Sequence, residues 1–344
     1  MNTQWINFLT RQGFDQAPGD FGEKPEELKA AQAGMVISPL ADFGLIRASG
    51  VDASTLLQNL LTNDVSGITA STARFAGMCT PKGRLLATMQ IWRDGEDFLL
   101  MLPADVLAGI LKKLTMYVLR SKVKLSDATH EFALIGVSRP TGIADLTDDA
   151  AQRSVVAIVG GGAVRLDATR WILCMTPELA ISRWAELATH ATAVGTEAWR
   201  WLEIQAGQPR VVAATQEAFV PQMLNMELPD VAGVSFTKGC YPGQEIVART
   251  QYLGKIKRRM YLVHFAADEN FGAGTPVFAA ETGEQQCGTV VSCAPAPDCG
   301  FDALICVQST ATESGELNLG TPLGPRPQLR ALPYPMDVAA ANAS

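Results

Sequence analysis

Charge is scarce in this 344-residue chain. Asp, Glu, Lys and Arg together make up 18% of it, against roughly 25% in a typical soluble domain. A basic surplus is also missing, since 28 Lys and Arg against 35 Asp and Glu leave a formal net charge of −7. General electrostatic attraction to nucleic acid or anionic lipid is thereby excluded, and any contact with RNA must be local. Long apolar runs are absent as well: stretches such as Phe98 to Leu102 fall far short of the ~20 residues that span a bilayer, so no membrane partner is expected. The N-terminus has no basic segment leading into an apolar core and is acidic through Asp15, Asp20, Glu23, Glu26 and Glu27. Neither a secretory signal nor a transit peptide is readable there, which points to a soluble protein of the reducing cytoplasm.

Histidine is reduced to His130, His190 and His264, with no H-x-x-x-H spacing and no cysteine partner nearby, so no metal site is expected. For His264, within a strand-like run, a hydrogen-bonded core role is the default. The seven cysteines, Cys79, Cys174, Cys240, Cys287, Cys293, Cys299 and Cys306, are odd in number, scattered and never spaced C-x-x-C. That pattern argues against a disulfide framework, a zinc ribbon and a ferredoxin ligand set, and most of these thiols read as inert and buried. Gly160-Gly161-Gly162 lacks both G-x-G-x-x-G spacing and a following Lys-Ser/Thr, so a hairpin turn is expected in place of a phosphate loop. No internal repeat is found.

What is present is ample core material, 47% apolar residues, in a chain long enough for two or three domains. Residues 1–34 read as a polar arm with one short helix, Pro25 to Gln32. Val36 to Ile46 looks extended. Asp52 then stands as an N-cap before Leu56, Leu57, Leu60 and Leu61, whose spacing predicts a helix ending near Asn63-Asp64. Ala73 to Cys79, Arg84 to Trp92 and Phe98 to Leu102, separated by Pro81-Lys82-Gly83 and Asp94-Gly95, predict an antiparallel meander. A helix follows from Pro103 to about Val118. Strands are expected at 122–125, 131–137, 155–159 and 170–175, and helices at 177–189 and around 196–206. From Met260 to about Leu332 turn signals recur with almost no helical periodicity, which predicts a small β-barrel. Strands mixed with helices without strict alternation make this an α+β chain. Modules are expected at 35–130 and 131–250, interleaved or in series, followed by the barrel at 251–335 and a tail at 336–344.

The most informative segment is Lys238-Gly239-Cys240-Tyr241-Pro242-Gly243-Gln244-Glu245-Ile246-Val247-Ala248-Arg249. Gly239 and Gly243 supply backbone freedom, Tyr-Pro-Gly suits a type II turn, and a short helix can begin at Gln244 with Glu245 near its positive end. Cys240, beside Lys238 and ahead of a helix N-terminus, is a candidate reactive thiol, because cation and dipole both stabilise a thiolate. The alternative is a Gly-Pro turn whose cysteine packs inside.

This segment resembles the K-G-C-Y-x-G-Q-E signature of the folate-binding YgfZ family, relatives of the glycine-cleavage T-protein. Further blocks agree in order: Gly50-Val51-Asp52-Ala53, Leu61-Thr62-Asn63-Asp64-Val65, Cys79-Thr80-Pro81-Lys82-Gly83-Arg84, Leu119-Arg120-Ser121-Lys122-Val123, Trp199 to Pro209, Phe219-Val220-Pro221-Gln222 and Gly254 to Arg259. The likeness covers about 35–335. It implies a T-protein-like ring of three modules around a hole that accepts tetrahydrofolate or a derivative. The implied role is accessory: support of iron–sulfur cluster assembly or repair in client proteins, with an indirect effect on tRNA modification through cluster-containing methylthiotransferases.

The resemblance places Cys240 and Lys238 at the chemistry and Trp199, Phe43, Gln205, Tyr241 and Arg249 in the folate site. Trp199 matches a tryptophan suited to stacking on a pterin or benzoyl ring, although an ordinary core role is the simpler reading of it. Phe43 stands where the family often has a second tryptophan. Gln205 replaces a pterin-gripping glutamate of T-proteins and loses its charge-assisted bond. Lys255, Lys257, Arg258 and Arg259 are candidates for the glutamate tail or for tRNA. Ala87 falls where T-proteins carry an aspartate, and alanine cannot act as a base. Whether the chain is an enzyme therefore stays open between a folate-binding accessory factor and a folate-dependent one-carbon transferase acting on a small amine. A peroxide-sensing Cys240 without folate is a third reading.

Overall fold

The computed structural model describes residues 1–143, 145–146, 149–252, 256–267, 271–280, 283–314 and 316–336. Two compact units interleave along the chain. The first comprises Met1–Leu57, Val65–Arg74 and Met89–Trp199; the second comprises Gln58–Asp64, Phe75–Thr88 and the described residues from Arg200 on.

In the first unit, Asn2 caps the helix Thr3–Arg11 by accepting from the Gln4 and Trp5 amides. Trp5 and Leu9, four residues apart, put one stripe of this helix into the core. There Trp5 meets Trp184 edge-on at 5.6 Å, and Ala180, Trp184 and Leu187 form the matching stripe of the helix Pro177–Leu187. The expectation of an appended arm at 1–34 is thus corrected: Trp5, Leu9 and Phe14 are core residues alongside Trp171 and Trp184. Three well-spaced apolar side chains suffice to dock a segment that is otherwise polar. The next helix, Lys24–Ala33, is tied in by a buried carboxylate, Glu27, which accepts from the amides of Phe21 at 2.8 Å and Gly195 at 2.6 Å.

These helices pack on a six-stranded sheet of order Thr192–Ala193, Val36–Pro39, Ala133–Ser138, Arg170–Met175, Gly161–Arg165, Val155–Ile158. All pairs are antiparallel except the edge pair Val36/Thr192. The triglycine begins the return strand of a hairpin, as expected. Ile37, Ile135, Val137, Trp171 and Leu173 point into the aromatic core, while the alternate positions Ser38, Gly136, Ser138, Arg170 and Ile172 share the other face, which is also buried. A second sheet sets Phe43–Ser49 between Asp97–Pro103 and Lys124–Asp127, with Gln90 to Asp94 paired to Asp97 to Met101. The helix Ala104–Met116 buries Val106, Leu107, Ile110 and Leu114.

In the second unit, an antiparallel six-stranded sheet runs in the order Leu317–Leu319, Pro276–Ala279, Gln286–Pro295, Phe301–Gln308, Arg258–Phe265, Gln328–Arg330 and curls into a half-barrel. Its core is Val263, Phe265, Val290, Ile305, Val307 and their neighbours. A short helix, Ser309–Ser314, departs from the all-strand expectation for this region. Among the described residues no helix is long and apolar enough to cross a membrane. Lys255, Gly254 and the tail beyond residue 336 lie outside the described residues.

Candidate functional site

Three of the sequence blocks meet in the second unit. Lys238 sends its ammonium group to three backbone carbonyls, those of Gln58 and Leu61 at 2.5 Å and of Asn63 at 3.2 Å. An ammonium has three protons, and all three are used. The same group lies 5.2 Å from the centroid of the buried Tyr241 ring, a cation–π contact. This explains why the helix that begins at Ala53 stops at Gln58, short of the expected Asn63-Asp64: the carbonyls that would continue it are taken by a side chain from another part of the chain. Burial pulls the Lys238 amine down to about 8, against a partial rise from Asp64.

The Tyr241-Pro242-Gly243-Gln244 stretch is the expected type II turn. Gly243 has φ +82°, and the Gln244 amide donates to the Tyr241 carbonyl at 3.1 Å. A Cβ on Gly243 would stand 2.4 Å from the Thr80 carbonyl oxygen and 2.6 Å from Cα and N of Gly83. The turn therefore packs backbone to backbone on the Thr80–Gly83 bend, itself closed by Gly83 donating to Thr80. Gly239, by contrast, has neither a left-handed φ nor any neighbour within 4 Å, so the freedom expected of it is not used. The helix Gln244–Tyr252 follows, with Arg249 exposed in its last turn and Gln222 donating at 2.7 Å to the Val247 carbonyl.

Cys240 is exposed at the mouth of an open depression lined by Pro81, Tyr241, Gly243, Gln244 and Ile246. Cys299 is exposed too, whereas the other five thiols are buried. Burial pushes Cys79 and Cys306 up to about 12 and raises Cys174 and Cys287. It also raises the Tyr241 hydroxyl, helped by Cys79. The expected partnership of Lys238 with the Cys240 thiol is redirected: the ammonium group is bonded to carbonyls and lies against an aromatic ring.

The residues assigned to folate fall in both units. Trp199 and Phe43 belong to the first unit and are both buried, Trp199 to 1% exposure. Its indole lies on Gly136, where a Cβ would come within 2.6–2.8 Å of three ring carbons, and the Arg170 guanidinium sits 5.9 Å from the ring centroid. Neither ring presents an open face, so in this conformation they do not fit a stacked pterin. Gln205 belongs to the second unit and donates at 2.8 Å to Asp302 Oδ2, which also accepts from Trp201 Nε1 at 2.8 Å. His264 Nδ1 is 2.9 Å from Asp302 Oδ1, so the expected hydrogen bond is present, but the side chain is half-buried and outside the core. Asp302 was the residue missed by sequence reasoning; its signal is a single acid inside the apolar run Phe301 to Val307. Ala87 is fully buried, and Thr88 beside it accepts from the Val211 amide at 3.1 Å. Lys257 and Arg258 border an apolar cavity with Val220, Met223 and Ile256. Arg259 is instead half of a buried ion pair with Glu227. Among the described residues, no three His, Cys, Asp or Glu side chains are placed to hold a metal ion.

Comparison with known proteins adds three findings. Residues 11–153 match the family description "GCVT N-terminal domain". The tRNA-modifying protein YgfZ of Vibrio vulnificus strain YJ016 is 32% identical over 234 residues, covering 66% of this chain and 69% of that protein. The protein of the same name from Serratia proteamaculans is 28% identical over 313 residues, covering 87% and 92%. Among solved structures, the glycine cleavage system aminomethyltransferase T of Bartonella henselae superposes on 90% of this chain and 88% of that one, with a TM-score of 0.72 at 15% identity. At that identity the likeness establishes a shared fold.

Proposed function

This chain belongs to the YgfZ family, and on that premise we propose that it is a cytoplasmic accessory protein supporting iron–sulfur cluster assembly or repair in client proteins, through which tRNA modification is affected. The observation that carries the reading is the exposed Cys240, held on a turn that the Lys238 anchor and the Gly243 close approach make rigid. A thiol on a fixed, open bend is accessible to a client protein. The cluster belongs to the client, because the scattered cysteines provide no four-thiolate ligand set.

Tetrahydrofolate or a derivative is the ligand proposed from the family resemblance, with Trp199, Phe43, Gln205, Tyr241 and Arg249 as its site. Trp199 and Phe43 are closed and the Gln205 amide is engaged, so these groups must reorganise to take it, and no chemical step here passes through it. Ala87 supports an accessory role over aminomethyl transfer, since a buried methyl group supplies no base.

The test is a deletion strain assayed for cluster-enzyme activity and tRNA methylthiolation, complemented with the wild-type chain or with Cys240→Ala. Rescue by wild type alone supports the proposal, and equal rescue by both removes Cys240 from it. Purified protein supplied with the other glycine-cleavage components and tetrahydrofolate should show no turnover. Turnover near that of an authentic T-protein would restore the transferase reading.

A further inference from the structure

In a chain of net charge −7, residues 106–126 carry Lys112, Lys113, Arg120, Lys122 and Lys124 and not one Asp or Glu. All five cations are exposed, and none forms an ion pair among the described residues. They lie on a helix, a bend and a strand that follow one another, the helix packing on the strand. Lys112 lies on the side of the helix Ala104–Met116 opposite its buried stripe of Val106, Leu107, Ile110 and Leu114, and Lys113 is exposed at the edge of that stripe. The chain then folds back through a bend closed by Tyr117, Val118 and Ser121 donating to Leu114, Thr115 and Val118. The Lys122 amide is fixed at 2.7 Å to Asp52 Oδ2, and Lys124 is registered opposite Ser49.

The same place concentrates exposed apolar surface. Of ten large hydrophobic residues left exposed among the described residues, four are here: Val51 at 82%, Met116 at 68%, Tyr117 at 45% and Leu119 at 88%. Val51 adjoins Asp52, so it lies beside Lys122. Leu119 is held at φ +43°, a conformation in which a branched side chain is costly. Neither an apolar side chain in water nor this backbone conformation is explained by the packing of the unit itself. A cationic surface that also carries an exposed aromatic ring has the chemistry that meets phosphate oxygens while stacking an unpaired base.

We infer that the surface formed by Lys112, Lys113, Tyr117, Arg120, Lys122 and Lys124 binds RNA directly, taking the phosphate backbone on its cations and an unstacked base on Tyr117. RNA is favoured over an anionic membrane because the curated relatives are named tRNA-modifying proteins; to that extent the inference rests on the family reading above. It turns the tRNA connection from a wholly indirect one into a contact made by this chain.

The test titrates the full chain into a fluorescein-labelled, unmodified tRNA transcript at several salt concentrations. Saturable binding is expected, with a Kd on the order of 1–100 µM at 50 mM salt. With three to five contacts, the slope of log K against log salt should be about −2 to −4, so that affinity falls roughly 16- to 250-fold between 50 and 200 mM. Arg120→Gln with Lys122→Gln should reduce that slope by about 1.4–1.8, and Tyr117→Ala should weaken binding to a single-stranded oligonucleotide by roughly 5- to 150-fold. These side chains are exposed, so the melting temperature should not move, which separates lost contacts from lost folding. Absence of saturable RNA binding, or an unchanged slope in Lys112→Gln/Lys113→Gln/Arg120→Gln/Lys122→Gln, overturns the inference. Binding to phosphatidylserine vesicles without RNA binding also overturns it and makes the patch a membrane surface. The deletion-strain assay is independent: methylthiolation rescued by a chain that binds no RNA refutes this surface alone, and RNA binding without rescue refutes the accessory role alone.

Discussion

Replacing Gly243 by Ala tests whether the signature turn is held by backbone packing. Two penalties arise. The alanine must adopt φ near +82°, which costs about 1–2 kcal/mol for a residue with a Cβ. Its methyl group must also enter space 2.4 Å from the Thr80 carbonyl oxygen and 2.6 Å from Gly83. Both neighbours are backbone, so neither can rotate away, and overpacking of this kind costs about 1–3 kcal/mol. Lower entropy of the unfolded chain returns about 0.4–1 kcal/mol, leaving a net loss of about 2–4 kcal/mol. For a unit of this size that corresponds to roughly 5–15 °C in melting temperature. Gly239→Ala, in the same signature but with an ordinary φ and open space, should leave the transition within about 2 °C. Scanning calorimetry of both variants, compared as transition temperatures because a two-unit chain need not unfold in one step, reads the difference. Alkylation of Cys240 should accelerate in Gly243→Ala as the turn loosens. A Gly243→Ala protein melting with the wild type, or equal losses at both glycines, would refute the close-packing argument.

Brief iodoacetamide treatment of the native protein should label Cys240 and Cys299 and spare the buried Cys79, Cys174, Cys287, Cys293 and Cys306. Mass spectrometry that finds Cys287 or Cys293 ahead of Cys240 would contradict the described exposure. Lys238 is protonated in both states below about pH 8. Between there and 10.5 the folded protein has released a proton that the unfolded chain retains, so its contribution to stability rises with pH, by about 1–2 kcal/mol after allowance for its partial exposure. Denaturant titrations should show that rise in wild type relative to Lys238→Met, and parallel profiles would disprove it. Asp302→Ala removes the acceptor of Trp201 and Gln205 and the partner of His264, for an expected loss of about 2–4 kcal/mol; a melting temperature equal to that of wild type would show the hub to be unimportant. Gly136→Ala should cost about 1–3 kcal/mol by displacing the Trp199 ring, with much of the loss recovered in Gly136→Ala/Trp199→Leu.

Local chemistry was readable from the residues in order. Pro-Gly at 242–243 dictates its turn, Pro177 and Pro103 mark helix starts, and alternating or helically spaced apolar residues place Arg170–Met175 and Ala104–Met116. These outcomes depend on steric and hydrogen-bonding preferences within a few residues, which sequence spacing records. The signature around Cys240 was legible for the same reason, as was the family to which the chain belongs. Tertiary structure alone decided where distant groups meet. It gave Lys238 to carbonyls some 180 positions away, ended the Ala53 helix at Gln58, made Trp5 and Leu9 core residues, and joined Gln205 to Asp302 across 97 positions. It also left five cations of a helix, a bend and a strand exposed in an acidic chain. Such pairings depend on which buried donor lies nearest an unsatisfied acceptor and which apolar stripe finds another, and spacing along the chain carries neither distance.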